Sequence, residues 1–240
     1  MKAQLLILGS VVMLTLATHA AMYTGGAFAN SGYIPDGSAV GSSATVNASG
    51  LDRYTTDVTV TLNIAGGYNG DLYAYLSHGG VLVPLLTRVG TTSSDAFGYG
   101  TAGMTVNLAD SYTDIHTVQS PTLNGFYSPD GRALNPATSL PTTYPGGGGD
   151  SRMTFGAYHE NGVNPNGTWT LFLADMSSGA QSQVVSWSLD IGSSAVPEPA
   201  NVALGIFAGV FLVVSFARSQ WARNRVQRCR VTFVQWVNAV

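Results

Sequence analysis

Two stretches in the middle of the chain alternate apolar and polar residues with a period of two. Their apolar members are Val58, Val60, Leu62 and Ile64 in residues 57–64, and Val185, Trp187, Leu189 and Ile191 in residues 185–191. This period places one face of a β-strand on a core and the other in water. Outside the two termini no stretch keeps a helical apolar period, which disfavours helical bundles and α/β folds.

Shorter segments extend the same interpretation to about eight strands. The further candidates are residues 43–48, 72–77, 81–87, 104–108, 153–157 and 168–174. Glycine-rich turns at residues 66–70 and 78–80 supply backbone that tolerates positive φ where the chain reverses. Many short strands with such turns predict an all-β sandwich or jelly roll, with Trp169 and Trp187 in its core.

The amino terminus has the features of a secretory signal peptide. Lys2 precedes an apolar run over residues 5–17, and small residues follow at Thr18 and Ala20. The run is short for a membrane span, so we expect residues 1–20 to be removed near Ala20 on export.

The carboxyl terminus predicts a membrane anchor. Residues 200–217 are 18 residues without a charge, and five arginines follow, namely Arg218, Arg223, Arg225, Arg228 and Arg230. A helix of that length spans about 27 Å, close to the hydrocarbon core of a bilayer. Because arginine clusters stay on the cytoplasmic side, the preceding body is expected outside the membrane.

The segment Val196-Pro197-Glu198-Pro199, the apolar helix and the arginine cluster together resemble the PEP-CTERM sorting signal of certain Gram-negative bacteria, here residues 196–230. The resemblance implies processing by an exosortase after transient anchoring in the inner membrane. It also implies release to the cell surface or extracellular matrix. Residues 231–240 form an apolar extension beyond the usual end of that signal, and we have no physical account of them.

The body, residues 21–195, contains two stretches that resemble the P domain found after the catalytic domain of subtilisin-like proprotein convertases. They are residues 69–76, NGDLYAYL, and residues 166–175, NGTWTLFLAD, followed by the SWSL of residues 186–189. The resemblance implies a jelly-roll β-sandwich of the galactose-binding-like kind. The convertase catalytic domain itself is not in the sequence.

Charge and motifs limit the function. Only 10% of the residues are charged, against about 25% in a typical globular domain, and we expect no nucleic-acid partner. His159-Glu160 opens a metalloprotease-like motif, but Val163 stands where the second histidine is needed. We therefore predict that the protein is not an enzyme. A secreted hydrolase, with His78, His116 or His159 at its site, is the less favoured alternative.

Asp71 and Asp175 each lie where a predicted strand meets a turn. Carboxylates at such loop ends suit a hard cation, and the P-domain resemblance makes calcium the candidate. The other interpretation is a turn-capping hydrogen bond to nearby backbone. The sequence leaves both open.

Aromatic residues in glycine-rich loops suggest a second role. These are Tyr68, Tyr99, Phe126, Tyr127 and Tyr144. Their rings can stack on sugars, so an extracellular carbohydrate-binding module, with polysaccharide as partner, is the alternative to a structural or adhesive matrix protein. The loop of residues 110–150 is long for a compact domain, which is typical either of a functional excursion or of a mobile surface loop.

Overall fold

In a computed structural model, the described residues are 18–118, 122–132, 152–195, 206–221 and 223. The chain divides into two compact units, Met1–Ala195 and Val196–Val240. The described part of the first unit contains nine strands: β1 Thr18–Thr24, β2 Ser38–Ala48, β3 Tyr54–Gly66, β4 Leu72–His78, β5 Val81–Thr87, β6 Met104–Leu108, β7 Leu123–Tyr127, β8 Gly167–Asp175 and β9 Ser182–Ser194. It also contains one short helix, α1 Gly156–Glu160.

The strands form two sheets. One has five strands in the order β1-β9-β3-β6-β7, and the other has four in the order β2-β8-β4-β5. All neighbouring strands are antiparallel except β6 and β7, which are parallel. The all-β prediction is confirmed.

One hydrophobic core contains the inward residues of both sheets. The alternation in β3 buries Val58, Val60, Leu62 and Ile64, as predicted. Trp169 and Trp187 are buried too, at 0% and 4% exposure. Burying one large aliphatic side chain contributes about 1.5–3 kcal/mol to the free energy of folding. A buried aromatic side chain removes a larger area from water. This core is therefore the main source of stability.

The structure corrects one predicted strand and adds two. Residues 153–157 were expected to be extended, but Gly156–Glu160 is a helical turn. The carboxylate of Asp110 accepts the N–H groups of Phe155 and Gly156 at 3.0 and 2.8 Å, and it thereby caps the helix start instead of leaving those donors to a sheet. The added strands are β1, whose first residues fall in the predicted leader, and the edge strand β7.

In the second unit, residues 206–221 and 223 are helical, while residues 200–205 of the predicted anchor lie outside the described residues. Within the described part of the chain, no helix is both long and apolar enough to cross a membrane. Residues 1–17 of the predicted signal peptide are also outside it.

Candidate functional site

Asp71 and Asp175 meet at one end of the four-stranded sheet. Asp71 directly precedes β4, Asp175 ends β8, and Asp175 pairs with Leu72 in the register of the two strands. The N–H of Met176 donates to the carbonyl oxygen of Asp71 at 2.7 Å. Both carboxyl groups are buried, with 5% of Asp71 and none of Asp175 exposed. The structure therefore brings together the two carboxylates singled out in the sequence.

A single cation accompanies this pair in the described structure. The guanidinium of Arg88 lies 3.8 Å from Oδ1 of Asp71, and it donates to the hydroxyl of Ser177 at 3.2 Å. Oδ2 of Asp175 accepts the hydroxyl of Ser182 at 3.3 Å, whereas its Oδ1 has no hydrogen-bond partner. The pair is thus held by a guanidinium and serine hydroxyls.

The pKa of Asp175 is raised to about 6, mainly by burial and also by the neighbouring charges of Asp71 and Asp36, against the opposing hydrogen bonds from Ser177 and Ser182. Burial also raises the pKa of Asp71, although Ser177 and Arg88 oppose it. Each carboxylate is costly to keep charged because water is excluded.

Among the described residues, no further metal-ligating side chain is grouped with Asp71 and Asp175. Calcium takes six to eight oxygen ligands, and no three His, Cys, Asp or Glu residues in the described ranges are grouped as a ligand set. Arg88 already offsets the charge of Asp71. Calcium binding at Asp71 and Asp175 stays a prediction from the sequence.

A second ionic cluster lies buried beside β5. Its members are Asp114, His116, Asp130 and Arg132, each no more than 9% exposed. Nδ1 of His116 lies 2.6 Å from Oδ2 of Asp130, and Arg132 donates to Oδ1 of Asp130 at 3.0 Å and to Oδ2 of Asp114 at 2.8 Å. The N–H of Thr87 in β5 donates to Oδ2 of Asp130 at 3.1 Å. This cluster ties the chain after β6 and the chain after β7 to the sheet.

The geometry of His116 suits a structural role better than catalysis. Its Nε2 lies 2.9 Å from the carbonyl oxygen of Thr91, so both ring nitrogens face acceptors. Burial lowers the pKa of His116, but Asp130 and the Thr91 carbonyl outweigh burial and raise the pKa above its ordinary value. A general base needs a free nitrogen facing substrate, and neither nitrogen of this ring is free.

The other two described histidines of the hydrolase alternative are also engaged. The nitrogens of His78 lie 2.8 and 2.7 Å from the carbonyl oxygens of Thr168 and Asn164, and its ring stacks on Trp169 at 4.1 Å. Nδ1 of His159 lies 3.1 Å from the carbonyl oxygen of Thr55. None of these contacts joins a histidine to a serine hydroxyl.

The aromatics predicted in loops separate into buried and exposed groups, and two of them, Phe126 and Tyr127, lie in strand β7 and not in a loop. Tyr99 packs against the core and its hydroxyl donates to the carbonyl of His116 at 2.9 Å. Tyr68 is 44% exposed. Phe126 is 54% exposed and stacks on Tyr112, itself 51% exposed, with ring centroids 5.1 Å apart. Tyr127 is half-buried, and Tyr144 lies outside the described residues.

Most of the sorting signal also falls outside the described residues, including Val196, Pro197, Glu198, Pro199, Arg225, Arg228 and Arg230. Arg218 and Arg223 belong to the described helical residues and are exposed, and Arg223 donates to the hydroxyl of Ser219 at 3.2 Å.

From the sequence, His116 was predicted only as a hydrolase candidate, and residues 129–131 fell within the long loop of residues 110–150. The structure buries Asp130 completely and passes this segment alongside β5, with the N–H groups of Asp130 and Gly131 donating to the carbonyls of Leu85 and Pro84. A local signal was present, since three charged residues, Asp114, Asp130 and Arg132, and one histidine, His116, occur in a loop otherwise rich in Pro, Thr, Tyr and Gly. The spacing of these residues in the sequence does not indicate which of them form ion pairs with one another.

No protein-family model matches the chain, and no curated protein matches it. Among solved structures, the chain is similar to a serine protease of Aeromonas sobria in complex with the chaperone ORF2, at 16% identity and a TM-score of 0.42 over 77% of this chain. It is similar to the same protease without the chaperone at 15% identity and a TM-score of 0.40 over 75% of this chain. The chain spans 28% of the protease in each case. A likeness of this degree bears on neither fold family nor activity.

Proposed function

We propose that the protein is an exported, non-enzymatic β-sandwich that is anchored transiently in the inner membrane by its carboxyl-terminal helix. An exosortase then processes it near residues 196–199, and it reaches the cell surface or the extracellular matrix, where it serves a structural or adhesive role. In this proposal the body is a P-domain-like jelly roll. The two-sheet, all-β architecture of the described body supports that part.

The observation that carries the proposal is the exposure of the apolar helix. Large side chains point out all around residues 206–217, with Phe207 and Phe211 each 71% exposed and Val213 69% exposed. A helix that is apolar on every side is stable when it is buried in a core or in a bilayer. The arginines that follow it give the anchor its cytoplasmic end.

The buried ionic groups support the absence of catalysis. His78 and His116 use both ring nitrogens on carbonyl or carboxylate oxygens. Asp71, Asp130 and Asp175 are shielded from solvent. Because these groups are buried and already paired within the described body, we assign them to its stability.

Replacement of Val196–Pro199 by a Gly/Ser linker tests the sorting step in the native host. We expect the variant to accumulate in the inner-membrane fraction, whereas the unaltered chain is released. The matched control is the unaltered chain in a host lacking its exosortase, which should give the same membrane retention. Normal release of the linker variant would overturn the assignment, and so would hydrolysis of peptide or glycoside substrates by the purified body.

A further inference from the structure

We propose that the outer face of the five-stranded sheet, near the edge strand β7, binds a neutral polysaccharide, with the rings of Phe126 and Tyr112 as its stacking site. This inference rests on the proposed function, since a matrix glycan is met only after export. It names the partner of the exported body and the surface that would contact it.

A continuous row of polar side chains crosses this sheet in register. Thr24 pairs with Ser188, Ser188 with Thr61, Thr61 with Asn107, and Asn107 with Phe126. Thr24 is exposed, and the others alternate with buried core positions of their strands, so the row lies on the solvent side. A second row runs through Ser186, Asn63, Thr105 and Asn124.

The side chains in these rows are hydroxyls and amides that both donate and accept hydrogen bonds, as sugar hydroxyls require. Some are already oriented by one another. The hydroxyl of Thr61 donates to Oδ1 of Asn107 at 2.8 Å, and that of Thr105 lies 3.5 Å from Oδ1 of Asn63. Oriented groups lose less freedom when a ligand binds.

Because the two polar rows carry no charge, we expect this face to bind a neutral ligand. Neither row contains an ionisable side chain, and the nearest outward carboxylates on the same strands, Asp57 of β3 and Asp190 of β9, are separated from β7 by at least one strand. Without Lys or Arg the face cannot neutralise phosphates or an acidic polymer. Apart from Phe126 at the end of the first row, the two rows contain no apolar side chain, unlike the centre of a stable protein interface.

The ring pair supplies the apolar part of the site. Phe126 and Tyr112 stay more than half exposed although they stack on each other, with an angle of 29° between the ring planes. Phe126 ends the first polar row and Tyr112 stacks on it, so their exposed ring surface adjoins that row, and the C–H face of a sugar ring can pack on such a surface. Polar hydrogen-bonding groups next to such a ring surface are the combination that a glycan recognises.

The test is retention of the purified full chain on microcrystalline cellulose and on immobilised dextran, both neutral glucans, with hyaluronan as the acidic comparison. We expect retention on at least one neutral glucan and none on hyaluronan. Phe126→Ala and Tyr112→Ala should each weaken it about tenfold, the scale of one stacking contact. Asn107→Lys should weaken it as well, because it places a charge in the row.

Tyr68→Ala is the matched control, since Tyr68 is an aromatic residue that is 44% exposed, precedes the turn at Asn69–Asp71 and belongs to neither polar row. It should bind as the unaltered chain does, and circular dichroism should show all four variants folded. The proposal is overturned by retention on neither glucan, by unchanged retention of the ring variants, or by preference for hyaluronan. Binding is measured on purified protein and sorting in cells, so failure of one is distinguishable from failure of the other.

Discussion

Nδ1 of His116 lies 2.6 Å from Oδ2 of Asp130 in the interior of the body. The opposite nitrogen of the ring lies 2.9 Å from the carbonyl oxygen of Thr91, so the ring fills both hydrogen bonds only when it carries two protons. An imidazolium with a carboxylate beside it, and Arg132 on the other side of that carboxylate, makes a compact buried network.

Replacing Asp130 by Asn should destabilise the body strongly. The change leaves two buried cations facing a neutral amide, and removing one partner of a buried ion pair costs about 3–5 kcal/mol. Urea unfolding followed by tryptophan fluorescence measures the change in the free energy of unfolding. Asp190→Asn is the control, because Asp190 is exposed on a strand of the same body and should change stability by less than about 0.5 kcal/mol. Equal effects of the two substitutions would contradict the network.

Stability should fall as the pH rises through the raised pKa of His116. Burial lowers this pKa, but Asp130 and Thr91 raise it above the ordinary 6.5. The folded state therefore holds the proton more tightly than the unfolded state. Its stabilising contribution is complete below pH 6.5 and is lost as the pH passes the folded-state pKa.

The measurement is the free energy of unfolding from pH 6 to pH 9 for the unaltered chain and for His116→Gln. The difference between the two proteins should shrink as the pH rises. A difference that is constant, or grows, over this range would show that His116 is neutral in the folded protein.

The raised pKa of Asp175 predicts a second pH dependence of the stability, at lower pH than that of His116. Its pKa is raised from 3.8 to about 6, mainly by burial, so the folded state binds the proton that the unfolded state releases. The contribution of this group should make the protein more stable as the pH falls from above 6 towards 3.8. Asp175→Asn removes this contribution and should raise stability at pH 7 by about 1–3 kcal/mol. Asp190→Asn serves again as control, and an unchanged pH profile for Asp175→Asn would contradict the shift.

Removal of divalent cations tests the calcium prediction made from the sequence. Since Arg88 offsets Asp71 and no described group of three metal-ligating side chains is present, we expect a chelator to leave the thermal midpoint unchanged. A lower midpoint that added calcium restores, and that is lost in Asp71→Asn, would instead support a calcium site formed by Asp71 and Asp175.

The parts of the fold that could be predicted are those specified locally. Strand β5 is predicted at its observed bounds because Gly79 and Gly80, both at positive φ, set the turn before it. Strand β7 was missed because it is short, contains Gly125 at φ 111°, and depends on parallel pairing with β6. The helical turn α1 was missed because its cap, Asp110, lies 45 residues from Phe155 in sequence.

Of the two ionic sites, one could also be predicted from local sequence and the other could not. Asp71 and Asp175 could be paired in advance because each sits at the end of a recognisable strand. The contact between His116 and Asp130 could not, since it depends on the path that the chain takes alongside β5. A contact of this kind leaves no periodic pattern or fixed spacing in the sequence from which it could be predicted.

Gly25 should tolerate no side chain. A Cβ at this position would overlap the indole ring of Trp187. That ring is held in place because its Nε1 donates to the carbonyl of Gly26 at 2.9 Å. The backbone is held as well, since the N–H of Gly25 donates to the carbonyl of Trp187 at 2.9 Å. Overpacking a core typically costs about 1–3 kcal/mol, so Gly25→Ala should lower the thermal midpoint by several degrees. Gly100→Ala is the matched control, because nothing lies within 4 Å of its added Cβ. A Gly25→Ala midpoint equal to that of Gly100→Ala would show that Gly25, which follows strand β1, and the Trp187 ring are not packed as described.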